Sequence, residues 1–206
     1  TVVLDGCQAA VLANFEATLA RLARAGVRVQ RRPVPQIAEA IELFANHGHL
    51  LGAEALHLHR KRLIGPDADR IDRRVVERIR LSEQMTAVDL DEVIQTRRRL
   101  IAESEALIGE AIVAFPTTSQ VAMPVAPLLA DDGVFARANV QTVRNAMLGN
   151  FLDWCGVAIP NGVNEHGMPT SVLLSAAHGR DTALLSAALA AEAIIRGMWI
   201  GVQKGV

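Results

Sequence analysis

Tyrosine is absent from the 206 residues, aromatic residues make up 3%, and lysine occurs only as Lys61 and Lys204. So few aromatics leave little for base stacking. The formal charge is −1, so composition supplies no single-sign field of the kind a dedicated nucleic-acid binder presents. Cysteine stops at Cys7 and Cys155, which are far apart and belong to no CxxC or Cys/His cluster. That argues for a reduced, cytoplasmic setting. No charged-then-apolar leader opens the chain. Arg, Glu or His interrupts every apolar run before it reaches bilayer-spanning length. Neither a membrane nor a nucleic-acid partner is expected.

What the sequence does have is apolar residues, half of the total. A chain of this length buries enough surface to fold as one domain without staples. It opens with Thr1 inside a strand-like run, Thr1-Val2-Val3-Leu4, as a cut through a longer protein would.

The periodicity predicts a helix over 7–24, with Leu12, Phe15, Leu19 and Leu22 on one face and Gly26 as its stop. Val27-Arg28-Val29 alternates like a short strand closed by Pro33 and Pro35. A long helix is expected over 36–61, with Ile37, Ile41, Phe44, Leu51 and Leu58 inward, although Gly48 and Gly52 weaken it. A charged helix follows over 69–83, carrying Val75, Ile79 and Leu81. Thr86-Ala87-Val88-Asp89 then resembles a capped helix start. Its helix runs to Ile108, with Val93, Ile94, Leu100, Ile101 and Leu107 in the apolar stripe.

Two unbroken apolar runs, Ala111–Phe115 and Gly156–Ile159, each end at a proline and read as strands buried on both faces. Between them lie a loop around Pro124, Pro127 and Asp131-Asp132-Gly133 and a helix over 139–154. Thr170–Leu174 is an expected strand antiparallel to its predecessor. Arg180-Asp181 opens a last helix to Arg196, with Leu184, Leu185, Leu189, Ile194 and Ile195 inward. The sum is an α/β chain with a mixed β-sheet of three or four strands flanked by helices. So small a sheet beside so much helix fits an incomplete portion of a larger fold.

Several segments carry a resemblance. Arg78-Ile79 precedes Thr86-Ala87-Val88-Asp89 and a helix bearing Arg97; Ile112–Thr117 is a buried strand ending in Pro-Thr, with Glu110 close by. Arg144-Asn145, Asn150–Asp153, Gly156–Pro160 and Gly162 are followed in register by Gly167-Met168-Pro169, Leu173, Asp181, Leu184, Leu185 and Glu192. In order and spacing these resemble the C-terminal half of the amidase-signature family, over nearly the whole chain. That family includes bacterial amidases and the glutaminase subunit of the glutamyl-tRNA amidotransferase. Thr170-Ser171 stands where the family often has Gly-Leu, and Asn161 where a small residue or cysteine is usual. These departures bear on substrate identity.

The resemblance implies an amide hydrolase that uses a serine nucleophile, a second serine and a lysine base, with no cofactor. The family's Gly-Ser-rich stretch and upstream lysine have no counterpart here; Lys61 sits among charges and Lys204 lies in the tail. A serine hydroxyl needs a neighbouring base and donors for the developing oxyanion. No catalytic residue is therefore expected in this chain, which supplies scaffold and substrate-pocket wall and is inactive alone. By resemblance, Arg78, Thr117, Asn150 and Asp153 match segments that face the substrate. The expected partners are a small-molecule amide and the missing N-terminal half or a complementary subunit, with a homo-oligomer open. The alternative is a non-catalytic α/β module that docks on another subunit.

Other clusters have plainer readings. His47, His49, Glu54, His57 and His59 share one predicted helix, but His57 and His59 point different ways and no HExxH spacing occurs, so no metal site is expected. Arg70, Arg73, Arg74, Arg78 and Arg80, with Arg97-Arg98-Arg99, are interleaved with acids, as on a solvated face. Ser119 lies in no Gly-x-Ser-x-Gly elbow and reads as a loop serine, while Trp154 and Cys155 read as core.

Overall fold

In the computed structural model, residues 2–66 and 68–197 are described. The chain divides into two compact units, one comprising Pro35–Glu103 and the other the segments on either side of it. Lys204 lies outside the described residues, as do Thr1 and Asp67.

The first unit is a three-stranded antiparallel sheet with helices. Helix α1 (Ala9–Arg24) buries Val11, Phe15, Thr18 and Leu22. Strand β1 (Val113–Pro116) is followed by a short helix α6 (Val125–Ala130) and a long helix α7 (Asp132–Phe151). Strands β2 (Cys155–Val163) and β3 (Pro169–Ala176) form a hairpin, and helix α8 (Asp181–Ile195) closes the unit. The order is β1-β3-β2. Both pairings are antiparallel, so the strands do not mix directions as the sequence suggests. The short β2–β3 connection permits only that geometry. The α/β class and its partial sheet stand.

Side chains alternate across β3. Val172, Leu174 and Ala176 join Phe15, Leu22, Ile159, Leu184, Ala188 and Ile195 in one core, which seats α1 and α8 on the same face. At the edge of this core lies a buried polar network. The Asn161 amide donates to Thr18 Oγ1 (3.1 Å) and accepts from the Thr170 hydroxyl (2.7 Å). Asn14 Nδ2 donates to Thr170 Oγ1 (2.9 Å) and to the Val163 carbonyl (3.1 Å). Arg21 reaches Thr18 Oγ1 and the carbonyls of Ile194 and Ile195, so a cation closes the C-terminal end of α8. Burial and then the charge of Arg24 lower the Arg21 pKa. Gly162 follows the register shift in β2; a Cβ there would lie 2.7 Å from Asn14 Cγ.

The second unit is helical. Helix α2 (Pro35–His47) and helix α3 (Leu50–Leu63) replace the single helix expected over 36–61. Gly48 (φ +82°) takes the left-handed conformation that ends α2. The break turns Leu51 and Leu58 outward, 61% and 71% exposed. The charged segment likewise splits: a 3₁₀ turn at Ala68–Arg70, helix α4 (Arg73–Arg80) and a second 3₁₀ turn at Leu81–Gln84. Val75 and Leu81 are exposed rather than inward. Asp72 caps α4 by accepting from Arg74 N, and hydrogen bonds from Arg74 hold its carboxyl down at about 2.

Helix α5 (Ala87–Ile108) starts as predicted. Thr86 N donates to Asp89 Oδ2 and Asp89 N to Thr86 Oγ1, a reciprocal capping box. Asp89 also meets His47 Nδ1 at 2.9 Å, and Thr86 first and His47 second lower its pKa to about 2. Arg99 pairs with Glu39 and Glu103.

Other expectations fail where partners are missing. Residues 2–6 form turns and 27–34 carry no regular structure, because no described strand lies beside them to pair with. The loop at 124–130 winds into α6, and β2 continues past Pro160 through its register shift instead of stopping there. Leu185 and Leu189 on α8 are 52% and 73% exposed rather than inward.

Replacing Asn161 by Ala leaves Thr18 and Thr170 short of a partner inside the first unit. The expected cost is about 2 kcal/mol, read as a lower urea midpoint with an unchanged slope. For Asp89 the sign is fixed by its depressed pKa. Its contribution is complete above the ordinary carboxylate range near pH 4 and disappears as pH falls through about 2. Asp89→Asn is therefore expected to lower thermal stability at pH 7 and to approach the parent chain only below about pH 2.

Candidate functional site

The segment after β1 is the most constrained loop of the first unit. Asn145, fully buried on α7, donates to the carbonyls of Pro116 (2.7 Å) and Val3 (3.1 Å). Thr117 N donates to Ser171 O at 3.0 Å, which extends the β1–β3 pairing by one residue. The Thr118 hydroxyl donates to Gln120 O. Gln120 Nε2 donates to Ala138 O and Thr142 Oγ1 on α7. Gln8, just before α1, donates through its backbone to Ser119 O and accepts from Val121 N through its side chain. Backbone groups that would otherwise be wet are thus tied down on both sides, so the loop keeps one shape.

Within that frame the Thr117 hydroxyl is buried and has no partner in the described structure. Such a group costs free energy unless something completes it. Ser119 is buried as well, with Oγ 2.8 Å from Gln141 Oε1 and 2.9 Å from Gln141 O. Both of these side-chain contacts tie Ser119 to α7.

The other end of the sheet is set by the C-terminus of α7. Asp153 sits at φ +59°. Its N–H reaches Asn150 O, and Trp154 N–H reaches Gly149 O at 2.9 Å. This is a Schellman stop with aspartate in the place glycine usually takes. Asn150 is exposed on the last turn of α7. The Asp153 carboxylate meets His178 Nδ1 at 3.1 Å on the surface. Trp154 is buried, donating from Nε1 to Ser104 Oγ, and Cys155 packs at the core's margin.

Asn150 and Asp153 therefore lie together. Thr117 does not lie with them: it follows Pro116, the partner of Val172, whereas Cys155 pairs with Ala176. The separation along β3 is about four residues, or roughly 13 Å. Arg78 belongs to the second unit, exposed on α4. Desolvation first, and then the charge of Arg78, lowers the pKa of His49, whose ring lies 4.5 Å from that of Phe44. Among the described residues, no three His, Cys, Asp or Glu side chains come together as a metal site. Among the described residues, no helix is long and apolar enough to cross a membrane.

Gln8, Gln120 and Gln141 are the loop's supports, and nothing in the sequence marks them. Each acts across 18 to 113 residues of chain, so no local pattern reveals it. Asn145 is visible as part of a motif, but its role becomes clear only when β1 comes beside α7.

No family model matches the chain. It is 30% identical over 194 residues to the 2-amino-5-chloromuconic acid deaminase of Comamonas testosteroni, a match covering 93% of this chain and 41% of that protein. Among solved structures, allophanate hydrolase of Kluyveromyces lactis aligns with a TM-score of 0.73 at 19% identity, covering 92% of this chain and 30% of that one. The 6-aminohexanoate cyclic dimer hydrolase complexed with substrate aligns with a TM-score of 0.70 at 18% identity, covering 93% and 42%. In sequence and fold the chain resembles the amidase-signature family, as its own motifs suggest, and it spans less than half the length of these relatives.

The Asp153 turn yields a paired prediction. Asp153→Gly is expected to hold or raise the melting temperature, because glycine takes φ > 0 without strain. Asp153→Val is expected to cost about 1–2 kcal/mol, read by thermal unfolding.

Proposed function

We propose that this chain forms scaffold and part of the substrate-pocket wall of an amide hydrolase. In this reading the hydrolysis of a C–N bond relies on a Ser-Ser-Lys set supplied by polypeptide beyond it. The carrying observation is the match across 93% of the chain to a relative of which it spans only 41%. The hydrogen-bonded loop after β1, with its buried and unpartnered Thr117 hydroxyl, supports the wall role.

The candidate wall residues of the first unit are Thr117, with its unpartnered hydroxyl, and Asn150 and Asp153; Arg78 is the candidate of the second unit. Thr117 offers a donor and an acceptor, and Arg78 a fork of donors suited to a carboxylate. The relative's name describes an amino-substituted dicarboxylic acid. An acid-bearing amide or amine is accordingly the substrate class assigned here. The complementary polypeptide is either the remainder of the same chain or a separate subunit.

The second reading, a non-catalytic docking module, draws on the outer edges of β1 and β2. Neither pairs with another strand among the described residues, and such edges call for cover.

The experiment is ammonia release from acid-bearing amides, measured for this chain alone and for the complete gene product. The isolated chain is expected to be silent and the complete protein active. Arg78→Ala in the complete protein is expected to lower kcat/KM at least about tenfold. Turnover by the isolated chain would overturn the division of labour. A native mass equal to that of this chain, seen by immunoblot of source cells, would favour the docking module.

A further inference from the structure

The second unit holds a cleft that the amidase reading leaves unused. It has a volume of about 270 Å³ and is lined from α3, the 3₁₀ turn at Leu81–Gln84 and the start of α5. Ala53, Leu56, Met85, Ala87 and Leu90 supply an apolar floor, while His57, Arg60, Ser82 and Thr86 supply the polar lining. The size is slightly below the usual range for small-molecule sites, which pair an apolar surface with a few placed polar groups.

Charge selects the ligand. The C-terminal half of α3 reads His57-Leu58-His59-Arg60-Lys61-Arg62, and Glu54 is the only acid on that helix. Among the described residues, none of His57, His59, Arg60, Lys61 and Arg62 forms an ion pair. This contrasts with Arg74 and Arg99, each of which has a carboxylate. His57 and Arg60 are three residues apart, so they stand on one face of α3 above the apolar floor.

The wall opposite is held close by a glycine. A Cβ at Gly52 would lie 2.2 Å from Ser82 Oγ, so with glycine there the Ser82 hydroxyl can lie directly against α3. Thr86 is already committed to Asp89 through the capping box. Arg60, His57 and Ser82 are left with donors to offer.

We propose that this cleft binds a small organic carboxylate, its hydrocarbon part on Leu56, Met85 and Leu90 and its carboxylate on Arg60, with His57 and Ser82 as further donors. Arginine is suited to this because its planar fork matches both carboxylate oxygens. An inorganic anion would satisfy the charge but leave the apolar floor wet. A neutral amide would cover the floor but leave the guanidinium without a counter-charge.

The test is a titration of the full ¹⁵N-labelled chain with three probes: hexanoate, hexanamide and inorganic phosphate. Hexanoate is expected to shift backbone amide signals within 53–60 and 82–90 in a saturable manner, with a dissociation constant of about 1 mM. Hexanamide and phosphate are each expected to bind at least about tenfold more weakly. Arg60→Gln is expected to weaken hexanoate at least about tenfold. Arg60→Lys, which keeps the charge and loses the fork, is expected to fall between. Arg60 is exposed, so both variants should melt with the parent chain, and Leu58→Gln on the outer face serves as the control that leaves binding unchanged. The proposal is overturned if hexanoate produces no saturable shift there, if phosphate or hexanamide matches it, or if Arg60→Gln binds as the parent does.

Discussion

The first unit depends on how one polar interruption in its sheet is satisfied. Strand β2 reaches Asn161 beside its register shift, where an amide side chain is buried next to an apolar core. Left without partners, that amide would cost more than the neighbouring contacts could offset. Thr18 and Thr170 complete it, Asn14 completes Thr170, and Arg21 completes Thr18 while closing the end of α8. The network thus joins α1, the hairpin and α8 at one point. It also explains how a buried asparagine is tolerated there: α1 brings the matching hydroxyl.

With α1 and α8 seated on one face of the sheet, the two ends of β3 become the places where function can be built. One end carries the loop from Thr117, braced by side chains from α7 and from the start of α1. The other carries the stop of α7 at Asp153. The two differ physically. The loop is tied through backbone groups of Pro116, Thr117, Ser119, Gln120 and Val121, and it presents one hydroxyl without a partner. The turn at Asp153 is an exposed helix stop whose aspartate performs a backbone task. Its conformation is sufficiently explained by the Schellman bonds, whether or not its carboxylate meets a substrate.

The second unit is held by different means. Two of its helices, α4 and α5, begin with side-chain caps, at Asp72 and at Thr86 with Asp89, and its charged surface is partly paired. Several apolar residues remain in solvent, Leu58, Ile64, Leu81 and Val88 among them. The contrast within it lies between arginines that have carboxylates and the basic end of α3 that has none. That asymmetry, next to a cleft with an apolar floor, is why an acid-bearing small molecule fits better than a bare anion.

Much of this was legible from the chain itself. The face of α1, the capping box of α5 and the antiparallel hairpin rest on interactions between residues near in sequence, and the strand ending in Pro116 showed as an unbroken apolar run although its partner β3 is distant. The motif order also carried the family. Other features could be decided only by tertiary structure. Val27-Arg28-Val29 has the alternation of a strand, yet a strand exists only where another edge pairs with it. Gly48 looked like a weak point within a helix and proved to be its end, because its positive φ redirects the chain. Leu185 and Leu189 have the spacing of core residues, but burial requires something to pack against them, and periodicity cannot supply it. The loop at Thr117 shows the same limit most plainly: its shape comes from Gln8, Gln141 and Asn145, brought from distant parts of the chain, and long-range hydrogen bonds leave no local trace in a sequence.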